Sequence, residues 1–485
     1  MEASWGIRVV GDMAVEIEGV TEDSREVGRG FLFASLRGAR TDGARFIDEA
    51  IGRGAAAVLA ADENQDGRAG VPFLFSKEPR KALAQIVSAF HGHPSDGLKM
   101  VGVTGTNGKT TTTYLIKQLL QSQGIPTGWI GTVQYCFGST TIPSSHTTPG
   151  AVRLQSLLAQ MRSAGCKAVS MEVSSHALDQ HRVVGVAWDV AILTNVTGDH
   201  LDYHGTFDAY LRSKQRLFEL LGDSHKSARM AVVNADDPSC GKITSAIKAP
   251  VWTYGIDQSA DVMAKAIRWT SKGTHFDLRT PLGKATCLCP LFGRFNVSNA
   301  LAAVAGGMAL GMKLNSLVKG LATVIAPVGR MEFLPSDLPF RVVVDYAHTD
   351  DALRHVLTTV REFTSGRVLV VFGCGGDRDR SKRPRMGRVA EELADFSWLS
   401  SDNPRCEDPH AILRQIEEGF TRKDKYALCE DRESAIRQAI AMALPGDLVL
   451  IAGKGHEESQ IGKDGPAPFS DKAVAWDAMK VLCKS

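Results

Sequence analysis

A glycine-rich segment between an apolar run and an amphipathic run is the part of this sequence best suited to chemistry. It is Thr104-Gly105-Thr106-Asn107-Gly108-Lys109-Thr110-Thr111. Residues 99–103 predict a short buried strand, and residues 111–123 predict a helix with an apolar face. Glycines at such a turn let backbone N–H groups surround phosphate oxygens at the start of a helix. Lys109 would place a positive charge on the terminal phosphates, and Thr110 would offer a hydroxyl to Mg²⁺.

This loop departs from the usual phosphate-loop pattern at one position. Val103 stands where the pattern has its first glycine, so the first loop glycine is Gly105 and the turn is shorter. The alternative is an ordinary Gly/Thr turn. The strand, the Gly-Lys-Thr sequence and the helix together favour a nucleoside triphosphate site.

Length and charge limit the possible classes of protein. A chain of 485 residues suggests about three domains. With 56 Lys and Arg against 54 Asp and Glu, there is no basic field for nucleic acid or an anionic membrane. Residues 1–5 lack the features of a signal peptide, and the apolar run 300–312 is too short to span a bilayer. Nine cysteines without a CxxC pair indicate reduced cytosolic thiols.

Strand and helix patterns predict an α/β protein of three domains. Residues 1–97 form a small α/β unit that includes a helix at 46–53 and a linker at 91–97. Residues 98–331 alternate strands with helices, which indicates a doubly wound, largely parallel sheet, and residues 332–485 predict a second, Rossmann-like one. The predicted strands are 31–34, 55–60, 99–103, 167–173, 189–195 and 230–234, short antiparallel edge strands within 260–290, and then 341–345, 367–372, 396–400, 426–429 and 448–451.

Carboxylate and imidazole groups follow two of the central strands. Glu172 ends an apolar strand, at the edge where open α/β sheets bind ligands. A carboxylate there suits Mg²⁺, which prefers one or two carboxylates together with phosphates and water. In the loop Asp199-His200-Leu201-Asp202-Tyr203-His204-Gly205, His200 and His204 would also suit zinc, but the HExxH helix is missing. One imidazole assisting Mg²⁺ is therefore favoured, and a solvated polar loop is the alternative.

A lysine lies within the apolar stripe of the helix predicted after this loop. Thr206 is suited to cap the helix, and the stripe comprises Phe207, Tyr210, Leu211, Phe218 and Leu221. Burial of Lys214 within it would lower the pKa of the amine, and a neutral amine can react with CO₂ to give an anionic carbamate that faces Mg²⁺. From the sequence alone, a lysine whose ammonium reaches solvent is the favoured alternative.

Polar residues also follow strands in the last part of the chain. Asn296 and Asn299 place two amides on one face of a helix, and Asp345 ends a buried strand. Three loops, 374–384, 401–405 and 452–457, each follow a strand and should share one sheet edge. Their arginines suit carboxylates, which they bind through two parallel hydrogen bonds, and a glutamate suits an ammonium group. Together the loops predict a site for a zwitterionic amino acid, although each alone would be a solvated turn.

In this order, the motifs resemble those of the Mur ligases of bacterial cell-wall synthesis over essentially the whole chain. The resemblance is most specific in the phosphate loop, in Glu172-Val173-Ser174-Ser175-His176, in the Asp199–Gly205 loop and in Gly329-Arg330-Met331-Glu332. Asp402-Asn403-Pro404-Arg405 resembles the signature of the members that add meso-diaminopimelate, and lysine-adding members differ there. The resemblance implies a UDP-binding N-terminal domain, an ATP-binding central domain and an amino-acid-binding C-terminal domain.

The resemblance also implies a reaction. UDP-N-acetylmuramoyl-L-alanyl-D-glutamate, meso-diaminopimelate and ATP would give a tripeptide, ADP and phosphate, with Mg²⁺ as cofactor. The γ-carboxylate of the substrate would attack the γ-phosphoryl group of ATP, and the free amine would then attack the acyl phosphate, while the protein supplies positioning and charge stabilisation. We expect a cytoplasmic monomer whose partners are these small molecules, not nucleic acid or membrane.

Residue roles follow from the resemblance. The implied ATP contacts are Gly105, Thr106, Asn107, Gly108, Lys109, Thr110, Thr111, Asn296, Asn299, Arg330 and Asp345. The implied metal groups are Thr110, Glu172, His200 and Lys214 as a carbamate. The implied catalytic residues are Lys109, Glu172, His200 and Lys214. The implied contacts of the UDP-sugar peptide are Ser24, Thr147, Thr148, Ser174, Gln180 and Arg182. Those of diaminopimelate are Arg378, Asp402, Asn403, Pro404, Arg405, Gly453 and Glu457. The chain departs from the family pattern at Ala39-Arg40-Thr41, where relatives often have a histidine.

Each alternative function would require different sequence features. A lysine-adding ligase is the near alternative. Folylpolyglutamate synthetase resembles only the last two domains, and Asp23-Ser24-Arg25 in the first domain argues against it. A GTPase switch should have an Asn-Lys-x-Asp sequence, which this chain lacks, and a nucleic-acid motor should have a basic stripe.

Overall fold

The computed structural model describes residues 6–12, 14–38, 41–61, 70–245, 247–270 and 272–482. Ala39 and Arg40, where the sequence departs from the family pattern, lie outside these residues, as do residues 1–5. Three sheets follow one another along the chain and are built of strands alternating with helices, which confirms the predicted α/β class. Within the described ranges, no helix is both long enough and apolar enough to cross a bilayer.

The first sheet has five strands, and a helix packs on each of its faces. The spatial order is Ile7–Val10, Phe73–Ser76, Ala55–Ala60, Phe31–Ala34, Gly19–Thr21. The pair Ile7–Val10 and Phe73–Ser76 is antiparallel, and the other three pairs are parallel. Because side chains alternate along a strand, Leu32 packs with the helix Pro79–Phe90, and Phe33 packs with the helix Ile47–Gly52 on the opposite face. Short 3₁₀ turns lie at Ser24–Glu26, Gly43–Phe46 and Pro94–Gly97.

The second sheet has eleven strands and holds the phosphate loop near its centre. The spatial order is Gly283–Cys289, Gly273–Thr280, Val262–Thr270, Val251–Gly255, Met230–Asn234, Val190–Leu193, Lys99–Thr104, Ala168–Glu172, Thr127–Ile130, Gln134–Phe137, Thr140–Pro143. Seven central strands are parallel, and antiparallel strands extend both edges. The antiparallel addition predicted within 260–290 is therefore confirmed.

Helices cover both faces of this sheet. The helices Lys109–Gln121 and Arg294–Ala309 pack on one face, against Val101 and Val103. The helices Ala151–Ser163 and Phe207–Gly222 pack on the other, against Met100 and Met171. Shorter helices are Ser175–Asp179, Leu201–His204, Cys240–Thr244 and Leu314–Leu321. The strand at the phosphate loop is therefore buried on both sides, which fixes the position of the loop that follows it.

The third sheet has six strands in the spatial order Glu332–Leu334, Arg341–Asp345, Leu448–Ala452, Val368–Phe372, Phe396–Leu399, Tyr426–Leu428. Its first pair is antiparallel and the others are parallel. One face packs against Asp350–Glu362, Lys382–Leu393 and Pro409–Glu417, and the other against Arg432–Met442 and Asp471–Leu482. A hairpin, Ser459–Gly462 with Gly465–Pro468, and a 3₁₀ turn at Lys423–Lys425 complete the described elements.

Two sequence expectations differ from the structure at the phosphate-loop and lysine helices. The first helix begins at Lys109, two residues before the predicted start, because the loop turns directly into it. In the second, Thr206 caps the backbone N–H of Ala209 as predicted, but Phe207 does not belong to the buried stripe and is 38% exposed. Phe207 lies in the first turn, before the helix reaches the core.

Candidate active site

The phosphate loop lies at the carboxyl end of the central strand Lys99–Thr104. Gly105 and Gly108 have φ of 149° and 84°, which favour glycine. The Lys109 ammonium donates hydrogen bonds to the carbonyl oxygens of Gly105 and Thr106, both at 2.8 Å. Burial lowers the pKa of Lys109, an effect opposed by the nearby Glu172 and Asp199 carboxylates. The lysine is thus held over the loop that the sequence predicts to bind phosphate.

The end of the neighbouring strand, Val190–Leu193, holds the loop in place. The Thr194 hydroxyl donates to the carbonyl oxygen of Asn107 at 2.6 Å, and the Asn195 side-chain oxygen accepts from the backbone N–H of Asn107 at 2.9 Å. A Cβ atom on Gly105 would lie 1.8 Å from the Thr194 hydroxyl oxygen. The glycine is therefore required by close approach, and sequence reasoning missed Thr194 and Asn195, the residues approached.

A buried carboxylate faces the first turn of the phosphate-loop helix. Glu172 is fully buried and accepts from the Thr110 hydroxyl at 2.9 Å, from the Thr132 backbone N–H at 2.8 Å and from the Thr132 hydroxyl at 3.0 Å. Thr132 was not predicted, although it follows the parallel strand Thr127–Ile130, and this placement could have identified it. These bonds fix the carboxylate beside the hydroxyl expected to bind Mg²⁺.

The same cavity gathers most of the predicted nucleotide and metal residues. Its lining includes Thr106, Asn107, Gly108, Lys109, Thr110, Thr111, Thr132, Thr147, Glu172, Asp199, His200, Arg330, Tyr346, His348 and Thr349. Among the described residues, no three His, Cys, Asp or Glu side chains cluster closely enough to hold a metal ion. A hydroxyl, a carboxylate and an imidazole around one cavity fit Mg²⁺, which takes further oxygens from phosphate and water.

Lys214 is buried, contrary to the solvent-reaching alternative that the sequence alone favours. Its side chain is 1% exposed, and the ammonium nitrogen lies 4.3 Å from the centre of the Tyr210 ring. Burial, together with the positive charge of Lys109, lowers the pKa of Lys214 well below its ordinary value, against the effect of Asp199 and Asp237. The amine is thus kept neutral more readily than a surface lysine, which is the condition for reaction with CO₂.

The remaining predicted ATP residues lie at or behind the cavity wall. The Arg330 guanidinium stacks 4.4 Å over the Tyr346 ring and donates to the Thr110 hydroxyl at 3.4 Å. Both oxygens of Asp345 accept backbone N–H groups, from Met331 at 2.7 Å and Ala347 at 2.8 Å. Asp345 therefore fixes the segment that presents Arg330 and Tyr346.

The two predicted asparagines support the loop from below. Asn299 lies so close to the phosphate loop that a Cβ atom on Gly108 would be 2.4 Å from its side-chain oxygen. Its amide donates to the side-chain oxygen of Asn296 at 3.2 Å, and the Asn296 amide donates to the carbonyl oxygen of Phe292 at 2.9 Å.

A contact that sequence reasoning missed joins the second and third units: the Asn107 amide donates to Asp351 at 2.9 Å.

A second cavity lies between the first and second units. Its lining is Glu22, Leu36, Arg80, Leu83, His146, Gly150, Ala151, Gln180 and Arg182. Arg182 donates to the Gln180 side-chain oxygen at 2.7 Å and to the Thr148 carbonyl oxygen at 2.9 Å. The Thr148 hydroxyl accepts from the backbone N–H of Ser174 at 3.0 Å. Gln180 and Arg182 thus line this cavity, and hydrogen bonds connect them to the predicted residues Thr148 and Ser174.

Two other residues predicted for this substrate lie elsewhere. Thr147 faces the phosphate-loop cavity, where its hydroxyl is 3.0 Å from that of Thr132. Ser24 donates to Glu49 at 3.3 Å within the first unit, and it is not among the residues that line the second cavity.

The three C-terminal loops meet at one edge of the third sheet, as predicted. Arg405 donates to the Gly376 carbonyl oxygen at 2.8 Å, which joins the first loop to the second. A Cβ atom on Gly453 would lie 2.6 Å from Asp402, and the Asn403 amide donates to Glu457 at 2.9 Å, which joins the second loop to the third. Pro404 lies between Asn403 and Arg405 in this contact region. Arg378 is exposed, and its guanidinium donates to the Asp377 carbonyl oxygen at 3.1 Å.

Comparison with known proteins identifies the family. The Mur ligase middle domain matches residues 103–307, the Mur ligase glutamate ligase domain matches 329–455, and the Mur ligase family catalytic domain matches 16–91. A UDP-N-acetylmuramoyl-L-alanyl-D-glutamate--2,6-diaminopimelate ligase from Geobacter metallireducens is 46% identical over 97% of this chain and 96% of its own length.

Solved structures agree. A structure of a ligase with the same name has a TM-score of 0.72 and 33% identity, covering 97% of this chain and 96% of that chain. A MurF ligase from Thermotoga maritima in complex with ADP has a TM-score of 0.65 and 19% identity, covering 98% of this chain and 100% of that chain. This more distant likeness shows a shared fold.

We expect Gly108→Ala to weaken binding of an ATP analogue with Mg²⁺ more than about tenfold, a loss of at least ~1.4 kcal/mol, because the new Cβ must displace Asn299 and the loop. Gly124→Ala is the matched control, since Gly124 has φ of 71° but no atom within 4 Å of a Cβ. Isothermal titration calorimetry measures both. Wild-type affinity in Gly108→Ala would contradict the assignment of this loop.

Proposed function

The chain belongs to the Mur ligase family, and we propose that it joins meso-diaminopimelate to UDP-N-acetylmuramoyl-L-alanyl-D-glutamate in peptidoglycan synthesis. It is an ATP-dependent, ADP-forming amide ligase. The observation that most supports the proposal is a single cavity lined by Lys109, Thr110 and Glu172 together with Arg330, which precedes the third sheet in the chain. One site there can hold a triphosphate whose γ-phosphoryl group is transferred.

Activation of the carboxylate is the step that this geometry serves. A carboxylate is a poor acyl donor, and its phosphorylation by ATP supplies a leaving group for the attack of the amine. Lys109 and Arg330 would neutralise charge on the transferred phosphoryl group, which is how proteins accelerate such transfers. Backbone N–H groups of residues 105–111 would hold the remaining phosphates, with Asn296, Asn299 and Asp345 supporting the ATP site.

Mg²⁺ completes the proposed site. Bound there, it would polarise the phosphate oxygens and neutralise their charge. Thr110 and Glu172 would hold it directly, and His200 lines the same cavity. Lys214, once carbamylated, would change from a cation into an anion and hold a metal ion as well. The burial of its amine, which lowers the pKa of Lys214, supports this modification.

The other substrates are proposed to bind on either side of this cavity. The UDP-sugar peptide would contact Ser24, Thr147, Thr148, Ser174, Gln180 and Arg182. The amino acid would bind at the C-terminal loops, where Arg405 and Arg378 suit a carboxylate and Glu457 suits an ammonium group. Asp402, Asn403, Pro404 and Gly453 would shape that site. We further propose domains at 1–97, 98–331 and 332–485, and a cytoplasmic monomer.

The wild-type protein should consume ATP only when both the UDP-muramyl dipeptide and the amino acid are present. We expect kcat/KM for meso-diaminopimelate to exceed that for L-lysine by about 10³ or more, because lysine leaves the carboxylate-binding arginine without its partner. Arg405→Met should reduce this ratio, and the exposed Arg414→Met is the control. Equal turnover of the two amino acids by the wild type would contradict the proposed substrate.

Lys214→Ala should lower kcat by at least about 100-fold, the scale of losing one group that stabilises charge in phosphoryl transfer. A short carboxylate such as acetate should restore part of the activity by occupying the space of the carbamate. Lys242→Ala, at a lysine whose side chain is 68% exposed, is the control. Phosphate release measures activity. Unchanged activity in Lys214→Ala, or no rescue by any short carboxylate, would argue against a carbamate.

A further inference from the structure

A fully buried lysine, Lys454, belongs to the third amino-acid loop and has no role in the reaction described above. Its side chain is 0% exposed. The ammonium donates to the Asn403 side-chain oxygen at 2.9 Å and to Glu457 Oε2 at 2.8 Å. A buried ammonium is costly unless charged and polar partners surround it. Its two partners are residues proposed to bind the amino acid, so its position is tied to that site.

Lys454 fixes the orientation of the Asn403 amide. An ammonium group only donates hydrogen bonds, so the amide must turn its oxygen toward Lys454. The same oxygen accepts from the backbone N–H of Ile461 at 2.9 Å, and the amide nitrogen donates to Glu457 Oε2 at 2.9 Å. The hairpin strand Ser459–Gly462 also contacts the loop at Arg405, whose backbone N–H donates to the Ile461 carbonyl oxygen at 2.9 Å. The loop is thus held from below and from the side.

Glu457 is occupied on one oxygen only. Oε2 accepts from both Lys454 and Asn403, whereas no described residue donates a hydrogen bond to Oε1. The side chain is 29% exposed, so Oε1 can meet a ligand. An ammonium group that binds Oε1 would then share the Glu457 carboxylate with the positively charged Lys454 and lie close to it.

We propose that Lys454 sets amino-acid specificity, because it neutralises Glu457 and repels a ligand end that carries an ammonium group alone. This inference rests on the proposed function. The far end of meso-diaminopimelate has both an ammonium and a carboxylate group, so its net charge is zero and the attraction of its carboxylate offsets the repulsion. The far end of lysine has only the ammonium. Because water is largely excluded near Lys454, the repulsion is weakly screened.

The test is Lys454→Met, which keeps an unbranched side chain only one atom shorter and removes its charge. Specificity is a difference between two affinities, so kcat and KM are measured for meso-diaminopimelate and for L-lysine, with KM for ATP as an internal reference. We expect KM for meso-diaminopimelate to rise about fivefold, as Asn403 and Glu457 lose their fixed positions. The ratio of kcat/KM for the two amino acids should fall about tenfold or more, since the cation is no longer repelled.

Two further variants make the result decisive. Lys480→Met removes a lysine of the same unit whose side chain is 66% exposed and should change nothing. Lys454→Gln keeps a donor in the buried site without the charge, and the ratio should fall in it as well. An unchanged ratio in folded Lys454→Met or Lys454→Gln would overturn the inference. So would an equal loss for every substrate, or failure of both variants to fold, since Lys454 would then serve stability alone. A wild-type protein without diaminopimelate-adding activity would instead refute the proposed function.

Discussion

The close approach of the phosphate loop to the end of its neighbouring strand is the constraint on which the rest of the site depends. Gly105 leaves no room for a side chain beside Thr194, and Gly108 leaves none beside Asn299. Hydrogen bonds with Thr194 and Asn195 then fix the loop at Asn107. The first turn of the following helix is set by this contact, and with it the positions of Lys109 and Thr110. A looser loop would leave the Thr110 hydroxyl without its fixed distance to Glu172.

Parallel sheets explain how separate parts of the chain meet. The strands Lys99–Thr104, Ala168–Glu172 and Val190–Leu193 are neighbours, so the loop, Glu172 and the His200 segment all emerge at one edge. The third sheet does the same for the three amino-acid loops. Arg330 and Tyr346 then extend the phosphate cavity toward the third unit. The proposed ATP site and the proposed amino-acid loops are therefore built on different sheets. This arrangement is expected when two substrates must be brought together.

Sequence patterns predict much of this fold and part of the site. Apolar runs identify the strands at 99–103 and 341–345, because strands buried on both faces are continuous in hydrophobicity. The Gly-Lys-Thr turn identifies the phosphate loop. In contrast, Asp351 reaches the site only through a contact between units, which local sequence does not indicate, and Thr132 can be found only from its place after a strand of the parallel sheet. The sequence alone favours a Lys214 whose ammonium reaches solvent, because a single charged residue in an apolar stripe usually does so. Lys214 is instead buried because several helices and strands pack around it, and a local sequence pattern does not predict such packing. The specificity role proposed for Lys454 similarly depends on a three-residue contact across two loops.

The central claim is that the γ-carboxylate of the dipeptide substrate becomes an acyl phosphate before the amine attacks. The most direct measurement uses UDP-muramyl dipeptide labelled with ¹⁸O in that carboxylate, together with ATP, Mg²⁺, meso-diaminopimelate and the full-length protein. We predict that the phosphate released contains one ¹⁸O atom per amide formed, because the carboxylate oxygen that attacks phosphorus leaves with it. Phosphate free of label, released in step with amide formation, would contradict the account.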